Sequence, residues 1–124
     1  MNVFLWIVAI VLAVAFFVSG AMKLGQSKEE LAESGLGWVE DFDPGTVKFI
    51  GLTEVLAALG LVVPPLLDVG VWLTPTAGLG LVLLMLAAAL THARRREAQM
   101  IAINILLLGL AAVVAWGRFG TYAF

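Results

Sequence analysis

Residues 3–22 read VFLWIVAIVLAVAFFVSGAM and contain no charged side chain. A helix needs about 20 mostly apolar residues to cross the hydrocarbon core of a membrane, so this stretch is long enough to span one. A cleaved signal peptide is not expected, because no Lys or Arg precedes the stretch and no A-x-A cleavage site follows it. The sequence therefore predicts a first helix that remains in the membrane.

Three further apolar stretches follow, at 44–67, 71–91 and 99–117. Their apolar residues run continuously and do not alternate with polar residues as they do in the strands of a membrane barrel. Helices are then the structure that satisfies the backbone hydrogen bonds in lipid. We expect an all-α fold, a four-helix transmembrane bundle that forms a single membrane domain over residues 1–124.

The composition is typical of a membrane protein. Hydrophobic residues make up 62% of the chain and charged residues 13%, against about 45–50% and about 25% in soluble domains. The net charge of −2 provides no basic field, so no nucleic-acid partner is expected. The chain has no Cys and one His, which argues against thiol chemistry and a metal site. Without a nucleophile–base pair, a self-contained enzyme is not expected and no catalytic residue is assigned.

Basic residues divide unevenly between the two sides of the predicted bundle. Of the seven Lys and Arg residues, Arg118 alone belongs to the side of the termini and the second connection. The positive-inside rule therefore predicts that the first and third connections are cytoplasmic and that both termini lie outside. Trp38 is expected to anchor at the inner interface and the other tryptophans at the outer one. The basic residues of the cytoplasmic side are Lys23, Lys28, Lys48, Arg94, Arg95 and Arg96.

The connection after the first span is too long for a plain turn. Ser27 and Glu30 have the spacing of a capping box, which indicates the start of a short helix. Apolar residues then recur among acidic ones as far as residue 42. These features predict a short interfacial amphipathic segment at 27–42. Pro44 is expected to begin the second span, because proline is favoured in the first turn of a helix.

One ionisable residue lies deep within an apolar stretch. Glu54 follows Pro44 by ten residues, which is about 15 Å along a helix. An ionisable side chain at membrane depth is costly and is by default a functional hypothesis. Lys23 ends the first span, and its flexible stem is long enough to turn back from the interface. We therefore expect Lys23 to pair with Glu54.

Polar side chains from all four spans share this layer, and two interpretations of them stay open. In the first, Lys23 and Glu54 form a structural ion pair, and His92 is a solvated helix end. The residues that join helices by hydrogen bonds are then Ser19, Thr53 and Asn104. In the second, the cluster binds the polar headgroup of a quinone or a lipid, with Lys23 and His92 as donors and Glu54 as proton acceptor. The candidate ligand-binding residues are Ser19, Lys23, Glu54, His92 and Asn104.

Short motifs recur along the chain in a specific order. The first span ends in SGAMKL at 19–24, the second contains GLTE at 51–54, and the third ends in ALTHAR at 89–94. In this order they resemble the DoxX family, in particular its DoxX-like branch of small four-span bacterial membrane proteins. The resemblance covers nearly the whole chain, and the recurring Lys and Glu of the family correspond to Lys23 and Glu54.

The resemblance implies a protein of the bacterial inner membrane. The family is named for a membrane subunit of an archaeal thiosulfate:quinone oxidoreductase, and other members are linked to oxidative-stress complexes. It therefore implies a non-catalytic subunit of a redox-linked complex; it allows a quinone as cofactor but leaves the cofactor open. Membrane lipid, other membrane or redox subunits, or a second copy of the chain are the implied partners.

Two other classes of function stay open. Distant relatives in the family act in receptor assembly or in maturation of redox enzymes, so the resemblance also allows an assembly factor or chaperone for membrane proteins. A small carrier is the other alternative, but it needs a polar path that reaches both faces of the membrane. The outer half of the chain offers little for such a path beyond Asp68, Thr74 and Arg118.

Overall fold

The computed structural model describes residues 2–120 and 123 of the chain. Helices account for nearly all of this part, and no strand occurs in it. The helices are α1 (Asn2–Gly25), α2 (Lys28–Glu33), α3 (Pro44–Leu67), α4 (Leu73–Arg94) and α5 (Ala98–Phe119), with a 3-10 turn at Gly37–Asp41. The predicted all-α fold with four long apolar helices is thereby confirmed.

The four long helices form a bundle in which α1 packs against α3 and α5, and α4 packs against the same two helices. Leu12, Leu61, Leu81 and Val114 are fully buried in its centre, one from each helix. Of the most apolar stretch of each long helix, only 28–39% of the residues are buried. The remaining apolar side chains point outward, where lipid removes the cost of exposing them to water.

Helices α1 and α3 approach closely at a pair of glycines. A Cβ atom on Gly20 would lie 2.5 Å from the carbonyl oxygen of Gly51, and one on Gly51 would lie 2.7 Å from the Cβ atom of Lys23. Small residues allow helix backbones to meet in this way in membranes. Because α1 and α3 are antiparallel, Lys23 and Glu54, each three residues after one of these glycines, lie on opposite sides of the contact. The Lys23 side chain extends back along α1 to reach Ser19 and Glu54.

The segment between α1 and α3 folds over one end of the bundle. The predicted capping box is present, since Glu30 N–H donates to Ser27 Oγ at 3.1 Å and Ser27 N–H donates to Glu30 Oε1 at 3.2 Å. Leu31 and Val39 are fully buried against Val47 at the start of α3. The apolar face of this segment therefore packs on the protein itself. We call residues 36–42 the cap.

Basic side chains gather at the same end, which we call the basic end; it carries Lys23, Lys48 and residues 94–96. The Lys48 ammonium donates to the carbonyl oxygens of Lys23, Leu24 and Gln26 at 2.9–3.3 Å. A cation at the last carbonyls of a helix complements its dipole and satisfies acceptors that lack helical partners. Lys48 thus ties the start of α3, which begins at Pro44 as predicted, to the end of α1.

At the opposite end, polar side chains join helices to one another. The Arg118 guanidinium is buried, donates to Asn2 Oδ1 at 2.6 Å, and lies 6.0 Å from the centre of the Trp6 ring. The Thr74 hydroxyl donates to the carbonyl oxygen of Gly60 at 3.1 Å. These contacts connect α1 with α5 and α3 with α4.

Candidate functional site

A cavity of about 340 Å³ lies within the bundle at the basic end. Pockets that hold small organic molecules begin at about 300 Å³. Apolar side chains form most of its wall, and Leu36, Trp38 and Phe42 of the cap close it toward the end of the bundle. All five candidate residues predicted from the sequence line this one cavity: Ser19, Lys23, Glu54, His92 and Asn104.

The predicted pair of Lys23 and Glu54 is present in the cavity wall. Nζ of Lys23 lies 2.7 Å from Oε1 of Glu54, and the two side chains are only 7% and 4% exposed. The ammonium also donates to Ser19 Oγ at 2.6 Å and lies 5.7 Å from the centre of the Trp38 ring. Two acceptors and an aromatic face therefore already surround the ammonium.

Asn104 projects from α5 into the same cavity. Its side chain is buried, with 6% of the residue exposed, and Nδ2 has no hydrogen-bond partner among residues 2–120 and 123. A buried amide donor left without a partner costs about 1–3 kcal/mol. This amide is therefore a hydrogen-bond donor that a bound molecule would satisfy.

His92 lines the cavity from the last turn of α4. Its Nδ1 lies 2.8 Å from Oε1 of Glu97, and its side chain is 5% exposed. The interpretation of His92 as a solvated helix end is therefore wrong. The residue follows Met85 by seven positions, about two helical turns, so it continues the buried face of α4.

Glu97 precedes α5 and lies outside the four apolar helices. The hydrogen bond from His92, assisted by the positive charge of Arg95, holds the pKa of this carboxyl below its ordinary value of 4.5. Glu97 is 31% exposed at its side chain. The cavity is thus connected, through His92, to an ionised carboxylate that reaches water at the basic end.

Arg95 joins the cap to the connection between α4 and α5. Its Nη1 donates to Oδ2 of Asp41 at 2.9 Å, and its Nε lies 3.3 Å from Oε1 of Glu97. The hydrogen bond to Asp41 raises the pKa of Arg95. A Cβ atom on Gly37 would lie 3.0 Å from Nη2 of Arg95, so the guanidinium rests directly on the cap backbone.

Trp38 and Glu97 belong to the site but were not among the predicted site residues. Trp38 is half-buried in the cavity wall, with its ring edge-to-face against Phe42 at 5.7 Å between centroids. The sequence signal for Trp38 was its place among apolar residues in an otherwise acidic connection. The signal for Glu97 was weaker, a single acid after the three arginines.

The cavity also reaches the outer surface of the bundle between helices. Ala15 of α1, Ala87 of α4 and Ile103 of α5 line it and are exposed on the outside of the bundle. In a membrane these residues face acyl chains. An elongated apolar group bound in the cavity therefore has a lateral route to lipid.

The fold and the site together define a class, the four-helix integral membrane proteins with a polar site inside the bundle. Within the described part of the chain, no cluster of three or more His, Asp and Glu side chains could hold a metal ion. The model of the DoxX-like family matches residues 7–114, and the chain belongs to this family. No curated protein and no solved structure matches the chain.

Proposed function

We propose that the protein is a non-catalytic subunit of a redox-linked membrane complex and that it holds the head of a quinone-class molecule in the cavity at the basic end. The observation that carries this proposal is the unpartnered Asn104 Nδ2 inside a mostly apolar cavity. A buried donor without a protein partner is the kind of group that binds a ligand carbonyl.

The distribution of polar and apolar groups supports an amphiphilic ligand. The polar groups Lys23, Glu54 and His92 lie toward the cap, while Phe16, Met85 and Leu107 line the apolar remainder of the cavity. An aromatic head would lie among the polar groups, with its tail leaving between helices into lipid.

A subunit role follows from the chemistry that the described side chains offer. The chain has no Cys, and the Lys23 and Glu54 side chains neutralise each other within the cavity. Electron exchange with a bound quinone would thus depend on a partner that carries a redox group. The links of the family to quinone oxidoreductases and oxidative-stress complexes support this assignment, and the protein would act as one four-span unit.

We further propose that the protein lies in the inner membrane with the basic end toward the cytoplasm. The concentration of Lys and Arg at this end supports that orientation. Both termini would then lie outside, and the ligand head would bind in the cytoplasmic leaflet. A carrier function receives no support, because Arg118 and Thr74 at the opposite end are engaged between helices.

The test is to purify the full chain from bacterial membranes in mild detergent and to identify extracted quinones by mass spectrometry. We expect a quinone to accompany the wild-type protein and to be depleted in Asn104→Ala. Thr76→Ala, on the exposed surface of α4 toward the opposite end, is the matched control and should retain it. Folded wild-type protein that neither carries a quinone nor binds an added one would refute the proposal. A stoichiometric membrane protein recovered instead would favour the assembly role.

A further inference from the structure

The contact between His92 and Glu97 fixes which hydrogen-bonding groups the cavity presents. A carboxylate accepts hydrogen bonds and does not donate them. Because Oε1 of Glu97 lies 2.8 Å from Nδ1 of His92, a neutral imidazole must carry its hydrogen on Nδ1. Its Nε2 is then an acceptor, as in other histidines whose tautomer is set by a carboxylate.

The Lys23–Glu54 pair and its neighbours contribute the other polar groups of the wall. The Lys23 ammonium donates to Ser19, pairs with Glu54, and lies 5.7 Å from the centre of the Trp38 ring. Glu54 is engaged through Oε1, and an ionised carboxylate adds acceptors only. Asn104 Nδ2 is the buried donor of the described wall that has no hydrogen-bond partner.

We infer that the cavity selects the reduced, hydroquinone form of its ligand over the oxidised quinone. This inference rests on the proposed function and adds the redox state of the ligand to it. A hydroquinone hydroxyl can donate to Nε2 of His92, while its second oxygen accepts from Nδ2 of Asn104. An oxidised quinone has two carbonyl acceptors. One of them can accept from Asn104, but the other faces Nε2 of His92, which is also an acceptor, so no hydrogen bond forms there.

In this arrangement Glu97 is a positioning residue that acts through His92. Replacement by Gln keeps its size, but the amide can either accept from Nδ1 or donate to it. The tautomer of His92 is then no longer fixed, and Nε2 can serve as a donor to a quinone carbonyl. The substitution should therefore change the preference between the two ligand forms, which a purely structural role would not do.

The experiment measures binding of duroquinol and duroquinone to the detergent-solubilised full chain by equilibrium dialysis without oxygen. Both ligands are compared in the same mildly alkaline buffer. The charged groups that surround the ring are the Lys23–Glu54 pair across the cavity and Glu97 with Arg95 at the connection. We expect duroquinol to bind about tenfold more tightly or better, the effect of one buried unpaired acceptor.

Two variants test the contributions of Glu97 and Asn104 separately. In Glu97→Gln the ratio of the two affinities should move toward one, while Asn104→Ala should weaken both ligands by a similar factor. Equal affinities in the wild-type protein, or an unchanged ratio in folded Glu97→Gln, would overturn the inference but leave the proposed function standing. If neither compound binds to folded protein, the proposed function fails, and the inference fails with it.

Discussion

Nζ of Lys23 and Oε1 of Glu54 lie 2.7 Å apart, beside the point where Gly20 and Gly51 bring α1 and α3 into contact. The ion pair is therefore a consequence of helix packing, since the glycines determine how close the two backbones come. Both charges are removed from water and lipid into the wall of the cavity. This relationship gives two predictions, one for the charges and one for the glycines.

Removal of one partner of the ion pair should destabilise the protein more than removal of both. Lys23→Met leaves the Glu54 carboxylate buried without its counter-charge, which typically costs about 3–5 kcal/mol. The double variant Lys23→Met/Glu54→Gln leaves no buried charge and should recover much of that loss. Denaturant unfolding in detergent measures the difference.

The matched comparison for this pair is Asn104→Ala in the same cavity. It removes an amide that has no protein partner, so its effect on stability should be smaller than that of Glu54→Gln. If the double variant is no more stable than Lys23→Met, the pair does not behave as two compensating charges.

Gly51→Ala should destabilise the contact between α1 and α3. The added methyl would lie 2.7 Å from the Cβ atom of Lys23 and 2.8 Å from the carbonyl oxygen of Gly20, so backbone must move. We expect a loss of about 1–3 kcal/mol, together with a weaker Lys23–Glu54 contact. Thermal unfolding in detergent reports the loss.

Gly109→Ala is the control for that substitution. A Cβ atom there meets nothing within 4 Å, and alanine is favoured over glycine in a helix by about 0.8–1.0 kcal/mol. Gly109→Ala should therefore be neutral or stabilising. An equal loss in both variants would show that the effect arises from glycine replacement in general and not from the helix contact.

The protein should become less stable in acid because the Glu97 carboxylate is protonated there. Its pKa is lower in the folded protein than its ordinary value of 4.5, because of the hydrogen bond from His92 and the charge of Arg95. A carboxyl of this kind stabilises the fold above its unfolded pKa and loses that contribution as the pH falls through the folded pKa. The Tm of the wild-type protein should thus decrease below pH 4.5, and the decrease should be smaller in Glu97→Gln. A Tm difference between the two proteins that does not change from neutral to acid pH would exclude this role.

The spans and the Lys23–Glu54 pair could be predicted because they depend on length, apolarity and the depth of a single carboxyl group. The capping box at Ser27 is likewise local. The environment of His92 could not be predicted in this way, because three adjacent arginines suggest solvent while the direction of its helix face decides burial. Trp38 enters the cavity wall only because the cap folds back on the bundle, a tertiary event that its neighbours in sequence do not specify.

Arg95 should hold the cap in place while contributing little to global stability. Its contacts with Asp41 and Glu97 are partly exposed, and exposed ion pairs contribute about 0–1 kcal/mol. Because the chain has no Cys, a single Cys at Leu36 would report access to the cavity side of the cap. Maleimide should react faster with Leu36→Cys when Arg95→Gln is also present, with little change in Tm.

Arg94→Gln is the matched control for the cap, since Arg94 is exposed and adjacent in sequence. Arg94→Gln removes one positive charge, as Arg95→Gln does, but leaves the contact between Arg95 and Asp41 in place. Equal acceleration of labelling by the two substitutions would mean that net charge, and not the contact with the cap, governs access.

The orientation of the bundle can be tested with two single-Cys variants at opposite ends. Ala93 is exposed at the basic end, and Asp68 is exposed after α3 at the opposite end. If Lys and Arg set the topology as the positive-inside rule states, a membrane-impermeant maleimide added to intact cells should label Asp68→Cys and not Ala93→Cys. Permeabilised cells should give labelling at both positions, which controls for reactivity. The reverse pattern in intact cells would place His92, Glu97 and the cap on the outer side, and the ligand head with them, so a cytoplasmic redox partner could not reach the site.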